Sequence, residues 1–172
     1  MPDFPTSRPV LAGKSARHGK GITLEALPEG HVLQVMGATT SADLRALLDS
    51  AGLTGSALRP AGYRQWYAVG DTPLDAQALQ AIVTALPPGT YLSDQSHGRV
   101  RIRLSGTRAT ELLSKGTAVD LHDSAFSVGH TATTLFGHIS VHLSRTGETE
   151  FELTVLRSFA EALYSELEEL AA

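Results

Sequence analysis

The sequence predicts an α+β fold, a duplicated strand–helix–strand–helix sandwich, and three observations carry that expectation. Stretches with apolar residues at every second position alternate with stretches whose leucines recur at helical spacing. The order strand, helix, strand, helix runs twice along the chain. A glycine stands at the same strand-to-helix joint in each half, Gly37 in the first and Gly106 in the second. With 172 residues the chain can bury a full core as one domain, read as residues 21–172 in two pseudo-repeats of about 21–95 and 96–172.

The elements follow in order. Residues 1–20, "MPDFPTSRPVLAGKSARHGK", are rich in proline and set Arg8, Lys14, Arg17 and Lys20 against Asp3. Such a segment buries too little apolar surface to fold alone and is expected to be a flexible N-terminal arm. "ITLEAL" and "HVLQVMG" read as strands. "SADLRALLDSAG" reads as a helix with Leu44, Leu47 and Leu48 as its stripe and Ser41 as N-cap. In the strand "YRQWYAVG", Trp66 and Tyr67 point to opposite faces, so one ring is expected in the core and the other more exposed. "DTPLDAQALQAIVTAL" reads as a helix, with Pro73 in its first turn and Leu79, Ile82, Val83 and Leu86 facing inward.

The second half opens with "TYLSD" and "RVRIRLS". Val100, Ile102 and Leu104 share one face of the latter, and Arg99, Arg101 and Arg103 share the other. That arginine row could meet a polyanion such as a polyglutamyl tail, but a solvated sheet face or a salt-bridged interface is the more ordinary expectation. "TRATELLSKG" reads as a helix, and the chain then lacks periodicity as far as Gly129. "TATTLFG" and "HISVHLSR" read as a hairpin; this insertion, 130–144, is the main difference between the halves. After the strand "TEFELTV", "RSFAEALYSELEELAA" reads as a helix opened by a capping box of Ser158 and Glu161. Its stripe is Phe159, Leu163, Tyr164, Leu167 and Leu170, leaving Glu166, Glu168 and Glu169 on the exposed side.

Composition narrows the chemistry. The chain contains no cysteine, which excludes disulfides, thiolate catalysis and cysteine-held metals. A net charge of −4 gives no general attraction for nucleic acid. The start has no basic-then-apolar leader, and no apolar run is long enough to span a membrane, so a cytoplasmic location is expected.

Individual motifs add little. "AGKS" at 12–15 ends like a phosphate-binding loop, but Arg8 occupies the required glycine position and no strand precedes it. "LSGTRATE" offers Gly106 alone, so a tight joint explains it better than a phosphate cradle. His122, His130, His138 and His142 fall near Asp120 and Asp123, without a spacing that makes three ligands converge. His138, Ser140 and His142 share one strand face, expected to point to solvent or to a partner. No paired carboxylates, nucleophile elbow or Ser/His/Asp context appears, so the residues assign no catalytic, cofactor-binding or metal site.

A resemblance emerges from longer runs. "QWYAV", "YLSDQSHGRVRIRLSGTRATELLSKGTAVDLH", Phe126, Gly129, "TATTLFG" and "FELTVLRSFAEALYSEL" together resemble the gamma subunit of heterotetrameric sarcosine oxidase. The likeness covers roughly residues 22–170 and is strongest over 98–165; proline is common in that family where Thr107 and Asp123 stand here. The resemblance implies a fold like the folate-binding domain of the glycine-cleavage T-protein. It further implies a non-catalytic subunit, inactive as an isolated chain, that supports oxidative demethylation of sarcosine to glycine with transfer of the one-carbon unit to tetrahydrofolate. The implied partners are the alpha, beta and delta subunits, chiefly alpha. No cofactor is implied for this chain; NAD and tetrahydrofolate belong to alpha, the flavins FAD and FMN to beta, and zinc to delta. The alternatives are a stand-alone tetrahydrofolate-binding protein of the T-protein-like class, or the small subunit of a related N-methyl amino acid dehydrogenase.

Overall fold

The computed structural model describes residues 8–172. In chain order the strands are β1 Arg17–Gly19, β2 Ile22–Ala26, β3 His31–Gly37, β4 Ala57–Gly62, β5 Gln65–Gly70, β6 Thr90–Asp94, β7 Arg99–Ser105, β8 Thr131–Phe136, β9 Ile139–Gly147 and β10 Glu150–Leu156. The helices are α1 Ser41–Ser50, α2 Ala76–Ala85, α3 Ala109–Leu113 and α4 Ala160–Ala171. Two antiparallel sheets result. One has four strands in the order β4-β5-β3-β6, and the other has six in the order β1-β2-β7-β10-β9-β8.

Residues 31–94 form a split β-α-β unit, with β3 and β5 in the centre and α1 and α2 on one face. The second unit repeats this plan in permuted form. Strands β7, β9 and β10 stand for β3, β4 and β5, and the place of β6 is taken by β2 from the N-terminus, which pairs Leu24 with Leu104 and Ala26 with Ile102. The boundary expected near residue 21 is corrected accordingly, because Ile22–Ala26 lies in the sheet of the second unit. Strand β9 belongs to the shared plan, so the addition is β8 alone rather than the whole hairpin 130–144. Gly137, at φ +56, opens the two-residue turn between β8 and β9.

Helix-facing cores hold each unit. Leu33, Val35, Leu44, Leu48, Ala68 and Ile82 are buried in the first, and Trp66 packs against them partly buried. The larger core of the second gathers Leu24, Ile102, Leu104, Leu112, Leu113, Phe136, Phe151, Leu153, Leu163, Tyr164 and Leu167. Burial of a leucine or phenylalanine side chain contributes about 1.5–3 kcal/mol, so these faces dominate stability. Tyr67 is buried on the opposite face of β5, and Trp66 is the more exposed of the two rings, as strand alternation predicts.

Helix boundaries differ from the sequence expectation in instructive ways. Thr40, not Ser41, caps α1, accepting from the Asp43 amide at 3.2 Å. Asp75 caps α2 at 2.7 Å from the Ala78 amide, so Pro73 lies before the helix. Val83 is exposed, because the buried stripe of α2 runs through Ile82. Helix α3 is a single short turn, and α4 starts after a 3-10 turn at Arg157–Phe159 with no side-chain cap, which leaves Phe159 exposed. Strand β4 has no counterpart in the sequence expectation. Pro60 and Gly62 obscure it, and both are tolerated because β4 is an edge strand with a register shift between them.

Residues 8–20 of the expected arm lie against the second unit, and residues 1–7 fall outside the described residues. Leu11 is buried in the larger core, and the Val10 amide donates to Glu29 at 2.8 Å. Lys14 and Arg17 reach Glu168 at 2.6 and 2.8 Å, so Glu168 is engaged rather than free on an exposed face. Those cations hold its carboxyl below the usual range, Lys14 most strongly.

Candidate functional site

The sheets face each other through a layer of charged and polar side chains, with the helices outside. The layer follows from strand alternation. In β7 the residues between Val100, Ile102 and Leu104 are arginines, and in β10 the residues between Phe151, Leu153 and Val155 are Glu152 and Thr154. Register sets Glu152 opposite Arg103 and Thr154 opposite Arg101. Arg101 is therefore an internal, salt-bridged member of the row at 5% exposure, whereas Arg103 pairs with Glu25 and Glu150 and stays partly exposed.

Arg101 joins four segments. Its Nη2 donates to the Gly70 carbonyl at 3.0 Å, to that of Pro28 at 3.4 Å and to Asp71 Oδ1 at 2.5 Å. Its Nη1 stands 3.6 Å from Glu152 Oε2, and Arg59 Nη2 from β4 stands 3.7 Å from the same oxygen. Glu152 thus binds two cations at ion-pair distance but neither at hydrogen-bond length, and its Oε1 is buried without a hydrogen-bond partner. Arg99 stacks over Tyr67, 5.1 Å from the ring centroid.

His142 and Pro60 form a second tie between the sheets. The His142 Nε2 lies 2.8 Å from the Pro60 carbonyl oxygen and its ring meets Tyr67 edge-on at 5.1 Å. Thr131 donates to the same carbonyl. Burial pushes the His142 pKa down; the Pro60 bond opposes this, while Arg99 and Arg59 reinforce it. His142 is internal, contrary to the expected open face, because the four-stranded sheet covers it. His122, His130 and His138 are exposed and apart from it, and no metal-ligand cluster occurs among the described residues.

Where the sheets part, a cleft of about 450 Å³ opens. Arg59, Arg101, Arg103 and Glu152 line one side, and the loop Gly52–Ala57 lines another. His31 and Asp71 stand at the remaining wall, His31 with Nδ1 2.8 Å from the Thr72 carbonyl and Nε2 2.8 Å from Ser56 Oγ. Sequence reasoning singled out Arg101 and Arg103 but missed Arg59, Glu152, His31 and Asp71. The alternation in "FELTV" carried the signal for Glu152, whereas Arg59 was hidden with its proline-containing strand.

The glycine joints hold no ligand cradle. A Cβ on Gly106 would fall 2.2 Å from the Gly21 carbonyl oxygen, and one on Gly37 2.1 Å from that of Gly89. Backbone already fills the space a phosphate would need.

Paired split β-α-β units with apposed sheets define a class seen in the regulatory parts of aspartate kinases. The regulatory subunit from Thermus thermophilus matches with TM-score 0.51 and 14% identity, over 92% of this chain and 100% of that one. A C-terminal regulatory domain from Porphyromonas gingivalis W83 matches with TM-score 0.50 and 12% identity, over 87% and 96%. A chain of the heterotetrameric sarcosine oxidase from Corynebacterium sp. U-96, solved with pyrrole 2-carboxylate, matches with TM-score 0.75 and 22% identity, over 96% and 97%. No curated protein sequence matches significantly. The profile of the sarcosine oxidase, gamma subunit family matches residues 66–172, and the chain belongs to that family.

Proposed function

We propose that the chain works as the non-catalytic gamma subunit of a heterotetrameric sarcosine oxidase, seated chiefly on the alpha subunit beside beta and delta. The family match over 66–172 carries this reading. On it, demethylation of sarcosine and transfer of the one-carbon unit to tetrahydrofolate are the work of the partners. FAD, FMN, NAD, tetrahydrofolate and zinc likewise belong to those subunits.

The surface supports a partner-bound role. Tyr63, Tyr91 and Leu135 are 85%, 67% and 54% exposed, large apolar groups of the kind that subunit contacts cover. Strand β8, "TATTLF", is a charge-free edge strand, a form that free-standing proteins usually protect.

Co-expression with alpha, beta and delta chains tests the proposal. The chain is expected to elute with them in equal stoichiometry, and elution of the chain by itself would count against it. Tetrahydrofolate titration of the isolated chain separates the other reading, since saturable binding would favour a stand-alone folate protein. Among the described residues no helix is long and apolar enough to cross a membrane.

A further inference from the structure

Beyond His142, away from the cleft, the inner sheet faces come into the open. On the six-stranded sheet, Arg101, Thr154, His142 and Thr133 form a row across β7, β10, β9 and β8, and the first three are buried. Two residues along, the next row of that face is Arg99, Leu156, Ser140 and Leu135, with Leu156 41% exposed and Leu135 more so. The four-stranded sheet changes in the same way. Tyr67 is buried beside Gln34, whereas the following row joins Gln65 to Met36 and Met36 to the exposed Tyr91. Tyr67 ties the two faces together here, because it lies under Arg99 and meets His142 edge-on. Charge sets this end apart. Arg59 and Arg101 share Glu152, and Arg103 has Glu25 and Glu150, but Arg99 meets no carboxylate among the described residues. None of the residues in these rows is acidic. The charged groups that act on His142 are Arg99 and Arg59, both positive.

We infer that this open end seats a segment of a different chain, one that presents a carboxylate to Arg99 and packs apolar side chains on Leu135, Leu156 and Tyr91. The inference rests on the subunit reading above and specifies the surface and the chemistry of one contact. A guanidinium presents a planar fork of N–H donors that matches a carboxylate, and arginine and tyrosine are the residues that most often anchor protein contacts. A second copy of this chain does not fit. A two-fold contact sets a patch against itself, so Arg99 would face Arg99 with no acid on the patch to separate them. A partner of different sequence supplies the missing anion.

Competition for a place in the assembled complex tests the inference. A variant and the wild-type chain are co-expressed with alpha, beta and delta chains, and the complex is purified through a tagged alpha chain. Mass spectrometry compares the ratio of the two in the complex with their ratio in the soluble lysate. Arg99→Gln and Tyr91→Gln should each be depleted roughly 10-fold, the scale of one interface anchor. Leu135→Gln should be depleted by about 3-fold, and Arg99→Lys, which keeps the charge, should recover part of the arginine loss. Val83→Gln, exposed on the outer helix layer, should enter at the wild-type ratio. Circular dichroism checks that each variant folds, and the exposure of Tyr91 and Leu135 lets their substitution spare the core. Entry of the folded Arg99, Tyr91 and Leu135 variants at the wild-type ratio would overturn the inference and leave the subunit reading standing. Absence of the wild-type chain from the purified complex would overturn both. A dimer of the isolated chain that Arg99→Gln strengthens would give the patch to a second copy and overturn the inference as well.

Discussion

Gly37 and Gly106 occupy equivalent joints, each closing on the glycine that precedes the neighbouring strand: Gly37 on Gly89 before β6, and Gly106 on Gly21 before β2. This pairing shows the internal repeat and its permutation at once, because β2 serves the second unit as β6 serves the first.

Substitution at these joints should be costly. Gly106 has φ +117 and Gly37 φ +131, where an L side chain is strained, and the added Cβ would overlap a carbonyl oxygen. Gly106→Ala is expected to destabilise by on the order of 3 kcal/mol in urea unfolding, combining backbone strain with forced displacement. Gly55→Ala serves as the contrast and should be within about 1 kcal/mol of wild type, since its Cβ meets nothing within 4 Å.

The buried ion pair should be asymmetric in its response. Arg101→Leu leaves Glu152, 6% exposed at its side chain, with only Arg59 at 3.7 Å, and a loss of about 3–5 kcal/mol is expected. Adding Glu152→Leu should restore much of that loss, because the uncompensated buried charge is then removed. Paired denaturation curves of the single and double variants measure this difference.

His142 predicts a pH window. Its folded pKa lies below the ordinary 6.5, so the unfolded chain takes up the proton first. Stability is therefore complete above about pH 6.5 and declines as pH falls through that value toward the folded pKa. His142→Gln, which keeps a donor for the Pro60 carbonyl, should lose less melting temperature than wild type between pH 7 and pH 5. Carboxylates contribute separately and lower: Glu111, held down to about 2 by Arg108, starts from an ordinary value of 4.5.

Neighbouring residues of α2 should differ sharply. Ile82 is 1% exposed against the first core and Val83 44% exposed. Ile82→Ala should cost about 2–5 kcal/mol. Val83→Ala should be close to neutral, within about 0.5 kcal/mol, as alanine also favours helix. Equal losses at the two positions would contradict the observed face of the helix.

Most strands were legible because each depends on a local alternation, as in "RVRIRLS" and "HVLQVMG". Helix ends were less so. Thr40 beside Ser41, and Asp75 beyond Pro73, offer adjacent capping chemistry that only the path of the chain distinguishes. The candidate site was legible only in halves. Arg101 and Arg103 announced a charged strand face, but nothing near them in sequence names Arg59, which comes from another sheet.

By itself the sequence determined the class of fold, the repeated order of elements, the two glycine joints and the runs that resemble its family. Those features are local, set by periodicity and by backbone geometry at single residues. Tertiary structure alone decided that β2 joins the distant sheet and that the arginine face turns inward. Strand partners are chosen by burial and register across long separations, and an alternating strand such as "ITLEA" offers the same pattern to either neighbour. The apposition of the sheets, rather than any motif, brought Arg59, Arg101 and Glu152 into one layer.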